Sequence, residues 1–214
     1  MKLVLHNYWR SSSSHRVRIG LGLKGLAYEY VVVNLLKAEQ HADAFRAKNP
    51  LAQVPMLEIT EDDGTVHRLT QSLPILEYLE DRFPTPTILP ADPYLRARAR
   101  GIAEIVNAGM QPFQNPATTR AVKELGGDAE VWTGQFLGRG LGALAHAVVD
   151  TAGAFCVGDQ PTVADCFLVP QLVSARRFGV DLALYPQLLA IEQRCLALPA
   201  FADAMPDRQP DAIK

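Results

Sequence analysis

Four consecutive serines, Ser11 to Ser14, sit between Trp9-Arg10 and the mixed basic and apolar run His15-Arg16-Val17-Arg18-Ile19. Hydroxyls gathered at a helix start can do two things. They can cap the helix, a role for which serine is among the favoured residues. They can also donate to an anion held against the free N–H groups of the first turn. A thiol is the demanding case. At its ordinary pKa of about 8.5 it is only about 3% ionised at neutral pH, and lowering that value by two units takes roughly 2.7 kcal/mol. A charge-assisted hydroxyl bond supplies ~1.5–3 kcal/mol, and the helix N-terminus adds about 0.3–1 kcal/mol. One serine at a helix start is therefore sufficient, without a general base. The four residues alone leave both roles open, the plain cap being the commoner.

The flanking elements decide what such a serine could meet. Lys2 to Tyr8 reads as a strand, and Val17 to Leu23 as a helix closed near Lys24-Gly25. Tyr28 to Asn34 is β-branched and aromatic, a second strand, which predicts a parallel β-α-β unit. Ala38 to Ala47 suggests a short polar helix broken by Asn49-Pro50. Met56–Ile59 and Val66–Leu69 flank the turn pair Asp63-Gly64 and predict a hairpin, followed by a helix over Leu73–Arg82. The order β-α-β-α-β-β-α is that of a thioredoxin-like domain. Phe83 to Pro93 carries four prolines and reads as a linker, after which strand signals fade and helical spacing of Ala, Leu and Val takes over. The expected division is a thioredoxin-like domain over 1–83, a linker over 84–93 and an all-helical domain over 94–214. The tail from Pro206 is expected to pack loosely.

Thioredoxin-like domains invite a search for Cys-x-x-Cys at the first helix start. No cysteine precedes Cys156; serines stand there instead. The thiol-handling geometry lacks a thiol of its own, so the simplest completion is one brought by a ligand, and glutathione is the abundant cytosolic candidate. Val54-Pro55 falls where such folds place a proline facing the helix start, and its backbone could pair with an extended peptide. Gln71-Ser72 opens the next helix, whose free N–H groups suit a carboxylate.

Bulk properties narrow the alternatives. The 214 residues are 48% hydrophobic with a formal net charge of −2, which implies no general attraction to nucleic acid or anionic membrane. No apolar run reaches ~18 residues and the first ten residues are too polar for a secretory h-region, so a cytoplasmic location is expected. Cys156, Cys166 and Cys195 read as buried structural thiols, and His15, His67 and His146 as structural rather than metal-ligating. Thr162 to Asp165 fits a capping box.

Several segments together carry a resemblance. Tyr8-Trp9-Arg10-Ser11-Ser12, His15-Arg16-Val17-Arg18-Ile19, Gln53-Val54-Pro55, Gln71-Ser72, Gln111-Pro112-Phe113-Gln114-Asn115 and Asp165-Cys166-Phe167-Leu168-Val169-Pro170-Gln171 resemble the zeta-class glutathione transferases from Met1 to about Asp211. That class includes isomerases of maleylacetoacetate and maleylpyruvate. The resemblance implies the glutathione transferase fold, a homodimer, and glutathione as cofactor. It implies Ser11 as the main thiolate donor, with Ser12 and Ser13 lining the pocket. Gln40 (or its neighbour His41) and Gln53 would hold the glycyl end, the Val54 backbone the cysteinyl unit, and Gln71 and Ser72 the γ-glutamyl end. Gln111 and Asn115 would contribute from the helical domain. Many relatives carry Cys where Ser13 stands; its absence here argues against a covalent role at that position and leaves thiolate stabilisation intact.

The expected reaction is cis–trans isomerisation by reversible thiolate addition, and the expected substrate is a small dianion. Arg10 and Arg177 are the arginines assigned to its carboxylates. From the residues alone, Arg176-Arg177 could equally be a solvated helix face. Pro116-Ala117, where some maleylpyruvate isomerases carry an arginine, points towards maleylacetoacetate. The alternatives are maleylpyruvate isomerisation, transfer to α-haloacids, or a non-catalytic binding module.

Overall fold

The structure, a computed structural model, describes residues 1–213 and divides into two compact units. The first comprises Met1–Thr87 together with the chain from Pro199 onward; the second is Ile88–Leu198.

In the first unit, β1 (Lys2–Asn7) is buried at every position after Lys2, because it is an inner strand covered on both faces. It pairs parallel with β2 (Glu29–Val32), placing Leu5 opposite Tyr30, and antiparallel with β3 (Met56–Thr60), placing Leu5 opposite Leu57. β3 pairs antiparallel with β4 (Val66–Thr70), giving the order β2-β1-β3-β4. The parallel pair and the Asp63-Gly64 hairpin follow the sequence expectation, with Gly64 at φ +86°. The connection from β1 to β2 is α1 (Ser12–Leu23), closed by Gly25 at φ +64°.

The segment over 38–47 is not one helix. Asn34 Oδ1 accepts the N–H groups of Leu36 and Lys37, Ala38 takes φ +56°, and two 3₁₀ turns precede a single turn, α2 (Asp43–Arg46). Phe45 is the only side chain of that turn that is buried, too little apolar anchorage for a longer helix. The hairpin leads into α3 (Ser72–Arg82), whose face of Ile75, Leu76 and Leu79 is buried. The proline-rich stretch read as a linker is anchored at its start. Buried Lys24 Nζ donates to Glu80 Oε2 at 2.6 Å, to the Phe83 carbonyl at 2.7 Å and to the Pro86 carbonyl at 2.6 Å.

The chain beyond Pro199 differs most from expectation. A short helix, Pro199–Ala202, packs on α1 and buries Phe201. The approach is close enough that a Cβ at Gly22 would lie 3.1 Å from the Ala200 Cα. The tail from Pro206 is held by directed bonds rather than loosely packed. Gln209 Nε2 donates to the carbonyls of Asp203 and Met205, both at 2.8 Å, and Asp211 accepts from Trp9 and Tyr30. Its polar composition reads as solvated because these partners lie far away in sequence.

The second unit is helical: α4 (Pro93–Asn107), α5 (Gln111–Gln114), α6 (Pro116–Glu124), α7 (Ala129–Ala147), α8 (Val163–Arg177) and α9 (Pro186–Leu196). No strand forms in this unit among the described residues. α8 is its core, buried along most of its length and packed on α4 and α9. Its capping box is present. Asp165 accepts the Thr162 N–H at 2.7 Å and the Cys156 N–H at 2.8 Å. All three cysteines are free and buried. No helix among the described residues is long and apolar enough to cross a membrane.

Candidate functional site

The serine run opens α1 as expected. Ser11 is the N-cap residue, with φ −67° and ψ +118°, and its Oγ accepts the Ser14 N–H at 3.2 Å. That bond uses the oxygen as acceptor and leaves the hydroxyl proton available to donate. The N–H groups of Ser12 and Ser13 are the first-turn donors that no residue four positions earlier can satisfy. Ser11, Ser12 and Ser13 are half-buried, Ser14 is fully buried, and the first turn carries no acidic side chain to repel an anion. Beneath them His15 is held well below its ordinary pKa by burial and by the nearby Arg18 and Arg16, so at neutral pH it is uncharged.

The second half of the site is the β3 entry and the start of α3. Val54-Pro55 is a cis peptide. The Val54 N–H and C=O have no hydrogen-bond partner among the described residues, so one donor and one acceptor remain available on the main chain. Gln71 Nε2 lies 3.4 Å from Gln53 Oε1, which brings two predicted residues together, and the Gln53 carbonyl is fixed by Asn49 Nδ2 at 2.7 Å. Gln71 takes φ +70° and ψ +129°, a backbone state that non-glycine residues avoid and that costs on the order of 1–3 kcal/mol. No side chain caps α3, so the N–H groups of Ser72 and Leu73 stay available; the third position is Pro74, which has none. Gln40, half-buried on its 3₁₀ turn, makes no hydrogen bond to this set, and its neighbour His41 is exposed.

Sequence reasoning missed two residues that organise this site. Arg16 is buried and its Nη1 donates to Ser72 Oγ at 3.1 Å, linking α1 to the start of α3. Arg18 is buried and its guanidinium binds the carbonyls of Tyr8 and Trp9. Their alternation in Arg16-Val17-Arg18 was the available signal, since neither fits the solvated face of an amphipathic helix.

Arg10 is exposed, its guanidinium carbon 5.6 Å from the Trp9 ring centroid. Within the second unit, Gln111 is the first residue of α5 and is half-buried. Asn115 is the N-cap of α6, its Oδ1 accepting the Ala117 N–H at 3.0 Å. Gln114 and Gln171 exchange side-chain bonds at 3.1 and 3.2 Å in the interior and tie α5 to α8. The arginine pair ending α8 is divided. Arg176 forms a two-point pair with Glu192, whereas Arg177 is exposed over the Phe178 ring at 5.0 Å. No cluster of His, Cys, Asp and Glu able to hold a metal occurs among the described residues.

Known proteins resemble this chain over nearly its whole length. The sequence profile described as glutathione S-transferase, N-terminal domain, matches residues 5–87. A maleylpyruvate isomerase from Ralstonia sp is 44% identical, covering 97% of this chain and 99% of that one. A zeta-class glutathione S-transferase from Euphorbia esula is also 44% identical, covering 99% of this chain and 93% of that one. The crystal structure of maleylacetoacetate isomerase from Anaeromyxobacter dehalogenans 2CP-1, with bound GSH in the active site, superposes with a TM-score of 0.92 at 54% identity, covering 99% of this chain and 98% of that one. A second structure of that protein, with bound dicarboxyethyl glutathione and citrate, gives 0.91 at 53% identity over 100% and 98% of the two chains.

Proposed function

This chain belongs to the zeta class of the glutathione transferase family, and on that premise we propose that it is a glutathione-dependent cis–trans isomerase converting maleylacetoacetate to fumarylacetoacetate. The observation that carries the reading is the set of unused donors at the two helix starts: the Ser11 hydroxyl, the Ser12 and Ser13 N–H groups, the Val54 main chain and the Ser72 and Leu73 N–H groups. These fit a thiol tripeptide carrying a free carboxylate.

Glutathione, when bound, supplies a thiolate that adds to the alkene, frees rotation about the former double bond and leaves again unconsumed. The protein's part is to make that thiol acidic and hold it still. Ser11 donates its hydroxyl proton to the sulfur, and the α1 dipole with the Ser12 and Ser13 N–H groups favours negative charge there. Val54 pairs its N–H and C=O with the peptide backbone of the ligand. The start of α3 takes the γ-glutamyl carboxylate on the Ser72 and Leu73 N–H groups, and Gln71 accepts a strained backbone to leave that helix end uncapped. Gln53 serves the glycyl end, with Gln40 and His41 as further candidates at that end. Ser12 and Ser13 line the pocket; with no cysteine at position 13, no covalent bond to the protein is involved.

The dianionic substrate is assigned to arginines. Arg10 adjoins the serine loop. In the second unit Arg177 is assigned on the family resemblance, and Arg176 forms a two-point pair with Glu192. Gln111 and Asn115 are assigned to the glutathione side by the resemblance, and Asn115 Oδ1 also caps α6. The reading includes a cytoplasmic homodimer, in keeping with a reduced thiol cofactor and three free cysteines.

The Ralstonia relative favours one second reading, maleylpyruvate as substrate. Parallel assays on maleylacetoacetate and maleylpyruvate, with and without glutathione, separate the two. Glutathione-dependent turnover that regenerates glutathione is expected, faster with maleylacetoacetate; net consumption of glutathione would mean conjugation instead. Arg177→Ala should raise the KM for the dianion by roughly tenfold or more, the loss of one charge-assisted pair. An unchanged KM would remove Arg177 from the substrate site.

A further inference from the structure

The loop that delivers Ser11 is gripped from the far end of the chain. The Trp9 N–H donates to Asp211 Oδ2 at 3.0 Å, and the Trp9 C=O accepts from Arg18 Nη2 at 3.0 Å. Both main-chain groups of one residue, two positions before Ser11, are thereby fixed. Arg18 offers five N–H groups, and five bonds account for them. Nε and Nη2 reach the Ala204 carbonyl at 3.2 and 3.1 Å, and Nη1 reaches Asn7 Oδ1 at 3.1 Å and the Tyr8 carbonyl at 3.4 Å. The fifth is the bond to Trp9. The Tyr8 carbonyl also accepts the Ser11 N–H at 3.0 Å, so Arg18 and Ser11 share an acceptor. The second oxygen of Asp211 accepts Tyr30 Oη–H at 2.5 Å. Arg18 is 2% exposed and stays cationic, its pKa lowered by burial only to about 10.

This wiring exceeds what a turn between a strand and a helix needs. Asp211 and Ala204 come from the last stretch of the chain and meet the loop through charged groups that would be costly to bury unpaired. Hydrogen bonding from Ser11 to a sulfur is steep in distance, and the loop carries that hydroxyl. Resting on the functional reading above, we propose that Asp211 and Arg18 are positioning residues for Ser11, and that the segment Ala204–Asp211 sets the loop geometry on which thiol ionisation depends. Neither side chain touches the thiol or the substrate.

The test uses full-length protein with glutathione as the probe. The ultraviolet absorbance of bound thiolate is titrated with pH, alongside kcat, both KM values and melting temperature. Asp211→Ala should raise the apparent pKa of the bound thiol by about one unit and lower kcat about tenfold, while the glutathione KM changes less than about threefold. Asp211→Asn keeps an acceptor for the Trp9 N–H and should recover most of the loss. Asp203→Asn, one residue before that segment and paired at the surface with Arg208, should leave every readout unchanged. Should Asp211→Ala fail to fold, Tyr30→Phe carries the test, with a smaller loss of about threefold. Wild-type thiol pKa and kcat in folded Asp211→Ala, whatever its melting temperature, or in Tyr30→Phe where Asp211→Ala does not fold, would reduce the tail to a structural role and overturn the proposal. Wild-type protein that shows no thiolate on binding glutathione would instead sink the functional reading, and this inference with it.

Discussion

Two helix starts in this molecule handle the same physical problem in opposite ways. At α8, Asp165 is fully buried, its carboxylate takes the N–H groups of Thr162 and Cys156, and the Ile88 carbonyl takes the Val163 N–H of the first turn. At α1, Ser11 takes one N–H, from Ser14, and leaves two N–H groups and its own hydroxyl proton without partners. Both sequences carry good capping residues, and a cap alone distinguishes neither. What separates a structural helix start from a binding one is the set of donors left over after folding. The start of α3 stands beyond α1 on the same scale, with no side-chain cap and a residue held at positive φ.

The comparison can be broken by substitution. The largest effect is expected at α8. Asp165→Ala strands two buried N–H groups, each costing about 1–3 kcal/mol, so the midpoint of urea denaturation should fall by the equivalent of roughly 2–5 kcal/mol. Turnover per folded molecule should not change. Ser11→Ala should do the reverse, losing about 1 kcal/mol of stability as a lost cap but at least about tenfold in glutathione-dependent turnover. Equal turnover in the two variants would erase the distinction drawn here.

A pH titration sharpens it further, because His15 lies in the same turn as the serines. Its folded-state pKa is depressed by burial and by Arg18 and Arg16, while the unfolded chain protonates it near its ordinary value of 6.5. Below that value the unfolded state binds more protons, so stability falls as pH drops, by at most about 1.4 kcal/mol per unit. Denaturation midpoints between pH 7.5 and 5.5 should show this slope, and His15→Asn should flatten most of it. His6 on β1 is displaced in the same direction by burial and supplies the remainder. The smallest effect is at α3. Gln71→Gly should relieve the positive φ and stabilise the fold by up to about 1 kcal/mol, while glutathione binds more weakly because the amide facing Gln53 is gone. Calorimetric titration with glutathione checks the second half of that expectation.

Local features of the fold were readable from the residues because their causes are local. The hairpin at Asp63-Gly64 and the serine helix start depend on neighbours within a few positions, and the parallel β-α-β unit joins strands only 25 positions apart. The same holds for Gln53, Val54 and Gln71, which lie where the sequence placed them, on the elements expected. Arg16 and Arg18 were not readable in this way. A buried arginine is tolerated only because distant acceptors meet it, and those of Arg18 include Ala204, 186 positions away. Asp211 is similar, since an acidic residue in a polar tail looks solvated until Trp9 and Tyr30 are seen to donate to it. The expected helix over 38–47 failed for another reason: Ala38 takes φ +56°, Ala42 is extended, and Phe45 is too little apolar anchorage to override them.

The division of the chain also bears on the order in which the protein can be made. The first unit is discontinuous, interrupted by all of Ile88–Leu198. During synthesis its sheet can form early, from residues close in sequence, but Phe201, Ala204 and Asp211 emerge only after the helical unit is complete. Until then the side chain of Arg18 lacks its Ala204 acceptor and the face of α1 bearing Gly22 lies bare. Domains ordinarily fold from the N-terminal side as they leave the ribosome. Here one compact unit draws on segments from both sides of the helical one, so the Trp9 loop gains its Asp211 partner only after the intervening helical residues have been made.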